Sequence, residues 1–300
     1  MNIQKYILTD SSAAEDTSFS LLPPSGIFDW WDTNVTNEIY ISTHRRDWWN
    51  SCRVVAEQLA DCERIIDVGV GDGHTFWQII SVASKLDIYQ VKELALLEPS
   101  AQGLQRAAYR CSQLPVGSIT LYQGIFKQFM DAWDTDPAAI GAPKQYDALY
   151  AGHVNYYLGK QGIADEKETY FSSLNSIMKL ARKAIIMTVP RESDYYKTVP
   201  NPFGEYVYTD VVTDHYLSQG YKVEVLDTPM RFYVDHINDS KHEAIMLWKF
   251  FSNTEQQPSD EQLQEFISNV NEIKDNEGNI NFKDQIVVIT GEASSRPIGS

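Results

Sequence analysis

The 300-residue sequence carries 25 Lys and Arg against 41 Asp and Glu, a formal net charge of −16. Hydrophobic residues at 43% and charged residues at 22% are ordinary globular values, which sets aside disorder, collagen and coiled coil. The acidic balance argues against general binding to nucleic acid or anionic membrane, because such binding replaces phosphate counterions with Lys and Arg. The densest basic spot here is Arg45-Arg46. Three scattered cysteines, Cys52, Cys62 and Cys111, are too few for a disulfide framework or a tetrahedral zinc site, so no metal is expected. Met1–Phe19 lacks the basic start and apolar stretch of a signal peptide, and no apolar run approaches the ~20 residues that span a bilayer. A cytoplasmic protein is the expectation, and the sequons at Asn34 and Asn238 read as chance matches.

In chain order, residues 1–26 are polar and end in Pro23-Pro24-Ser25-Gly26, the composition of an arm leading into the fold. The spacing of Trp48, Cys52, Val55 and Leu59 predicts a helix over 44–61. An alternating series follows. Apolar runs at 64–68, 93–97, 118–122, 146–150 and 184–189 read as buried strands, and segments 75–85, 101–111 and 167–180 read as helices between them. That alternation implies a parallel sheet with helices on both faces and all strand C-termini along one edge. After Pro190 comes a proline-punctuated stretch around Tyr195, Tyr196 and Phe203, then a helix at 210–218 that stops at Gly220, and an alternating strand at 222–226. Helices at 241–251 and 261–273 and a closing strand at 285–290 complete the reading.

The informative stretch is Ile65-Ile66-Asp67-Val68-Gly69-Val70-Gly71-Asp72-Gly73, a strand running into glycines with a helix directly after. Gly69 and Gly71 allow backbone N–H groups to come close to a ligand that a Cβ would strike. A nicotinamide fingerprint is G-x-G-x-x-G, with three steps between its second and third glycines. Here Gly71 and Gly73 are two apart, and Asp67 precedes the first glycine by two. Such a turn suits a nucleoside whose tail is an amino acid. The next strand ends in Glu98, placed to accept both ribose hydroxyls.

Asp67–Gly73 resembles motif I of the S-adenosylmethionine-dependent methyltransferases of the Rossmann-like class. Glu98 sits where that class keeps its ribose-binding acid. Glu98-Pro99-Ser100-Ala101, the Tyr156-Tyr157 pair, Ser42-Thr43 at a helix start, the late helical insertion and the closing strand are similar to the histamine N-methyltransferase-like group over residues 40–291. The resemblance implies a doubly wound, mostly parallel seven-stranded α/β sheet with an N-terminal helical arm. It divides the chain into 1–62 covering the acceptor site, a donor-binding core at 63–227, a helical insertion at 228–280, and 281–300 as closing strand and tail. It further implies that Gly69 and Gly71 line S-adenosylmethionine, Glu98 holds its ribose, Ser100 and Gln102 flank it, and Gln123 approaches the adenine. His44, His153 and Asp284 stand where the histamine enzymes keep other acceptor-binding residues, which argues that the acceptor is not histamine.

His153 lies just past a strand C-terminus, as an acceptor contact or general base, or else as an ordinary loop histidine. Tyr157 is the member of its pair expected to face the cleft. His44 reads as an acceptor contact or a helix start, and Asp284 as an amine-binding carboxylate or a solvated acid. The aromatic stretches Phe28–Trp31 and Tyr195-Tyr196 read as core or lid before cation cage. His236 and His242 read as parts of a turn. The resulting expectation is methyl transfer to a small soluble amine or amino acid, by a monomer or weak dimer. Transfer to sulfur or oxygen and a non-catalytic donor-binding protein are the alternatives.

Overall fold

The computed structural model describes residues 2–9, 13–15, 49–88, 90–152, 154–159, 165–199, 204–252 and 256–291. Within them, strand β1 (Asn2–Leu8) and the short β2 (Ala13–Glu15) precede helix α1 over residues 49–58. The alternating series then runs β3 (Arg64–Val68), α2 (His74–Lys85), β4 (Glu93–Glu98), α3 (Ala101–Cys111), β5 (Ser118–Gln123), α4 (Phe126–Thr135), β6 (Tyr146–Ala151), α5 (Glu166–Leu180) and β7 (Ala181–Thr188). A single-turn helix α6 (Tyr195–Thr198), α7 (Thr209–Ser218), β8 (Lys222–Tyr233), α8 (Lys241–Ser252), α9 (Asp260–Ile273) and β9 (Asn279–Thr290) follow.

All of these strands form one sheet in the order β2-β1-β5-β4-β3-β6-β7-β9-β8. The pairs from β1 through β7 are parallel, and β2, β9 and β8 join antiparallel. The central strands are apolar on both faces: every residue of β6 is buried, as are Ile65–Val68 of β3 and Leu94–Leu97 of β4. Strands of that kind need helices on either side, and they have them. Phe129, Leu174, Ile177 and Tyr216 of α4, α5 and α7 cover one face. Val55, Ala56, Phe76, Ile80, Leu104 and Ala108 of α1, α2 and α3 cover the other. Fully burying one such side chain stabilises the fold by about 1.5–3 kcal/mol. This is the doubly wound, mostly parallel sheet expected for the Rossmann-like methyltransferase type.

Three features differ from the sequence expectation. The sheet has nine strands rather than seven, because part of the segment read as a polar arm pairs in parallel with β5, from Asn2 opposite Ser118 to Ile7 opposite Gln123. Tyr6 stacks on Tyr122 at 5.9 Å, and Leu8 is buried. Helix α4, not anticipated, turns Phe126, Phe129, Met130 and Trp133 into the core. Finally, β8 and β9 are each 12 residues long and stay paired out to Tyr233 and Asn279. The helical part of the insertion therefore lies within residues 235–273. Its helices α8 and α9 bury Leu247, Phe251, Phe266 and Val270 with Tyr195 in a small core of their own. Among the described residues, no helix is long and apolar enough to cross a membrane.

β3 lies between β4 and β6, so the chain leaves β3 toward one edge of the sheet and leaves β6 toward the other. Such a reversal opens a crevice at the strand C-termini, where open α/β sheets bind ligands.

Candidate donor and acceptor site

The glycine turn emerges at that crevice. Gly69, Gly71 and Gly73 all have positive φ, at 69°, 58° and 79°. Their surroundings separate their roles. A Cβ on Gly69 would lie 2.6 Å from Cγ1 of Val154, in the segment after β6, and one on Gly73 would lie 2.6 Å from Cα of Ala107 in α3. A Cβ on Gly71 would meet no atom of the described residues within 4 Å. Of the two glycines expected to line a ligand, Gly71 alone faces open space. Gly69 instead lets the segment after β6 pack onto the turn.

Glu98, at the tip of β4, holds this turn in place. One carboxylate oxygen accepts the N–H of Gly71 at 3.0 Å, and the other accepts the N–H of Ser100 at 2.9 Å. Burial raises the Glu98 pKa, and these two hydrogen bonds only partly offset it. A carboxylate has about four lone-pair sites, so each oxygen retains one for a further donor. The Ser100 hydroxyl is committed to capping α3, where it accepts the N–H of Gly103 at 3.2 Å. Gln102 is exposed on the first turn of α3, and Gln123 is half-buried at the tip of β5, directly opposite Glu98. Asp67 is only 2% exposed. Burial first and the Glu98 charge second push its carboxyl well above the usual range, with no hydrogen bond to offset them among the described residues. Two carboxyl groups thus lie under one turn, and the Glu98 charge raises the cost of ionising Asp67.

Of the residues expected to meet an acceptor, Tyr157 is 41% exposed in the short turn after β6. Its neighbour in that turn, Asn155, is buried and donates from Nδ2 to the carbonyl of Val207 at 3.2 Å and toward the Tyr170 hydroxyl at 3.4 Å. Tyr195 is buried and donates its hydroxyl to the carbonyl of Phe251 at 2.7 Å, tying α6 to the insertion core. Tyr196 packs edge-on against both Tyr195 and Tyr208, with centroids 4.9 Å away in each case. Asp284 is fully buried on β9, so it is not a solvated surface acid. Its charge helps to raise the pKa of both Tyr150 and Tyr196, behind the larger effect of burial. Asp284 on β9 is thus within electrostatic reach of both Tyr150 on β6 and Tyr196 in α6. His44, His153 and the Phe28–Trp31 stretch lie outside the described residues.

His236 does sit in a turn, at residues 235–238, and burial lowers its pKa to about 4. No group of three or more His, Cys, Asp or Glu side chains is arranged to hold a metal ion among the described residues. Sequence reasoning missed four residues that shape the glycine turn: Asp72, Gly103, Arg110 and Val154. The signal for two of them was present, since Gly103, Ala107 and Arg110 recur at helical spacing on one face of α3.

No protein-family model matches the sequence, and no curated protein matches it. Solved structures do share its architecture. The YcgJ protein from Bacillus subtilis is 11% identical, with 81% of this chain and 99% of that one covered at a TM-score of 0.52. A possible histamine N-methyltransferase from Thermotoga maritima, described as S-adenosylmethionine-dependent, is 15% identical over 89% of this chain and 98% of its own, with a TM-score of 0.43. The plantazolicin methyltransferase BamL, solved with S-adenosylhomocysteine and a desmethyl analogue, is 11% identical over 89% and 90%, with a TM-score of 0.43. At these identities what the chain shares with the Bacillus subtilis protein is its fold, a doubly wound α/β sheet.

Proposed function

We propose that the protein binds S-adenosylmethionine at the glycine turn and transfers its methyl group to a heteroatom of a small soluble metabolite. The observation that carries this reading is the pairing of Gly71, whose missing side chain opens onto free space, with Glu98, whose carboxylate is oriented by two backbone N–H groups. The lone pair left on each Glu98 oxygen suits two vicinal hydroxyls, as a ribose presents. The resemblance of Asp67–Gly73 to motif I points to the same donor. Residues here fit the group: Gly71 admits it, Glu98 accepts its hydroxyls, and Gln123 stands beside Glu98 on the next strand. Bound there, S-adenosylmethionine supplies an electrophilic methyl carbon on a sulfonium.

The chain's own residues then have three tasks. Glu98 and the glycine turn orient the donor, so that an acceptor can be held in line with it. Tyr157 and the Tyr195–Tyr196 cluster supply aromatic faces that favour a cationic partner over a polyanionic one. Asp284 attracts the positive end of an amine, and His153 takes up the proton that an amine nitrogen sheds. His44 adds an acceptor contact. Nitrogen in an amine or amino acid is therefore the favoured attacking atom, and the net charge of −16 disfavours a nucleic-acid acceptor.

The test is titration of purified protein with S-adenosylmethionine and S-adenosylhomocysteine, followed by mass identification of products across amines, amino acids including methionine, phenols and an RNA pool. Donor binding that disappears in Glu98→Ala supports the donor site, and binding unchanged in Glu98→Ala removes it. His153→Ala should lower kcat with donor affinity kept. Methylated RNA as the sole product would replace the small-molecule reading.

A further inference from the structure

Helix α3 meets the glycine turn at three levels along one face. A Cβ on Gly103 would come 3.0 Å from the carbonyl oxygen of Gly71, and Ala107 fills the space beside Gly73. Three residues further, Arg110 donates from Nη2 to Oδ2 of Asp72 at 2.9 Å. The other Asp72 oxygen accepts the N–H of His74 at 3.1 Å, which closes the turn onto the start of α2. Arg110 Nη1 also lies 3.3 Å from Nδ1 of His74. A guanidinium can only donate, so Nδ1 accepts and the neutral imidazole carries its proton on Nε2, which lies 2.8 Å from Nε2 of Gln78 and is satisfied there when that amide is turned to present its oxygen. Positions 103, 107 and 110 thus use two small residues for close approach and one cation for a lock. None of these groups belongs to the glycine pattern itself.

We propose that Arg110 is a positioning residue for the donor site, holding Asp72 and His74 so that the Gly71 N–H stays aimed at Glu98 and the turn keeps its donor-ready shape. This inference rests on the reading of the turn as a donor site. Arg110 touches neither Gly71 nor Glu98; it acts through Asp72, the residue between Gly71 and Gly73. The lock carries a pH dependence of its own. Among the described residues the charged groups facing His74 are Arg110 from α3 and Asp72 from the turn, while Gln78 and the Trp77 ring, 6.4 Å away, face it from α2. Burial, then the Arg110 charge, lower the His74 pKa against the smaller opposing pull of Asp72. Protonating His74 sets a second cation beside Arg110 and works against the lock, so donor affinity should weaken as the pH falls. Glu98, across Gly71, titrates in the same direction and must be separated from it.

The experiment is calorimetric titration of the full chain with S-adenosylhomocysteine, for wild type, Arg110→Gln, Asp72→Asn and their double variant, with melting curves for each. The expected result is a loss of about tenfold in affinity for each single variant and no further loss in the double, the signature of two residues acting as one unit. His74→Gln should bind near wild-type strength at about pH 7.5 and show a shallower decline toward about pH 5.5, because the Glu98 contribution is common to both proteins. If Arg110→Gln does not fold, Arg110→Lys keeps the charge but a single ammonium does not span Asp72 and His74, and it should lose part of the affinity. Unchanged affinity in a folded Arg110→Gln or Arg110→Lys, or additive losses in the double variant, would overturn the proposal. Wild-type protein that fails to bind S-adenosylhomocysteine would instead overturn the donor reading beneath it.

Discussion

Replacing Gly73 with Ala and replacing Gly71 with Ala should have opposite consequences, although the two glycines are two residues apart and share a left-handed backbone. Each substitution incurs about 1 kcal/mol for holding an L-residue at positive φ. At Gly71 that is the whole structural cost, since the new methyl meets no atom of the described residues within 4 Å. At Gly73 the methyl lands 2.6 Å from Cα and 2.9 Å from Cβ of Ala107, so α2 and α3 must separate. Backbone atoms cannot rotate away as a side chain can, and overpacking of this kind adds about 1–3 kcal/mol. Gly73→Ala should therefore cost about 2–4 kcal/mol in total. With a urea slope of about 3 kcal/mol/M, its unfolding midpoint falls by about 1 M and that of Gly71→Ala by about 0.3 M. Titration with S-adenosylhomocysteine should then invert the ranking: Gly71→Ala, with a methyl in the space the ligand enters, loses at least about tenfold in affinity. Equal destabilisation by the two substitutions, or wild-type affinity in Gly71→Ala, would refute the assignment of Gly71 to the ligand and Gly73 to helix packing.

Other perturbations follow from the same geometry. Asp67→Asn should raise the melting temperature at neutral pH, because the folded state must either hold a proton that the unfolded chain has released or ionise a buried acid beside Glu98; the gain should vanish below about pH 4, where the wild-type group is protonated in both states. Asp147 is the reverse case. Burial opposes its ionisation, but the N–H groups of Arg64 and Glu63, each at 2.9 Å, and Arg182 outweigh it and lower its pKa. Asp147→Ala strands two backbone donors and should cost about 2–4 kcal/mol at neutral pH, and the wild-type advantage should fade on acidification through the lowered pKa, read by urea unfolding across the acid range. Tyr195→Phe removes the 2.7 Å hydrogen bond to Phe251 and should cost about 1 kcal/mol, measured by thermal unfolding, with donor affinity unchanged.

Local pattern carried most of the fold. Apolar runs such as Glu93–Leu97 and Tyr146–Tyr150 are strands because a doubly covered sheet leaves them no polar face, and that is visible within five residues. The glycine turn and Glu98 were legible for the same reason: strand, turn and strand-tip acid are consecutive in sequence. What escaped depends on partners far away. Asn2–Leu8 has a mixed composition, and only the open edge of β5 makes it a strand. Pro229 disguised the outer half of β8, which tolerates a proline because β8 is the last strand of the sheet. Gly69 resembled a ligand glycine in sequence, and Val154, 85 residues later, claims its space. Asp72 and Arg110 are 38 residues apart, and nothing local to either announces their ion pair.

The parallel pairing of β1 with β5 also sets a schedule for the chain's assembly on the ribosome. Asn2 pairs with Ser118, so β1 waits for 116 further residues before its partner exists. At about 5–20 residues per second that wait is roughly 6–23 s, during which the core strands β3 and β4 are already available to each other. The sheet must therefore grow outward from β3 and accept β1 late, against an edge that only β5 can offer. Until then the apolar side chains of Ile3, Tyr6 and Leu8 have no native surface to cover, which makes this interval the one in which a nascent-chain chaperone has the most to protect.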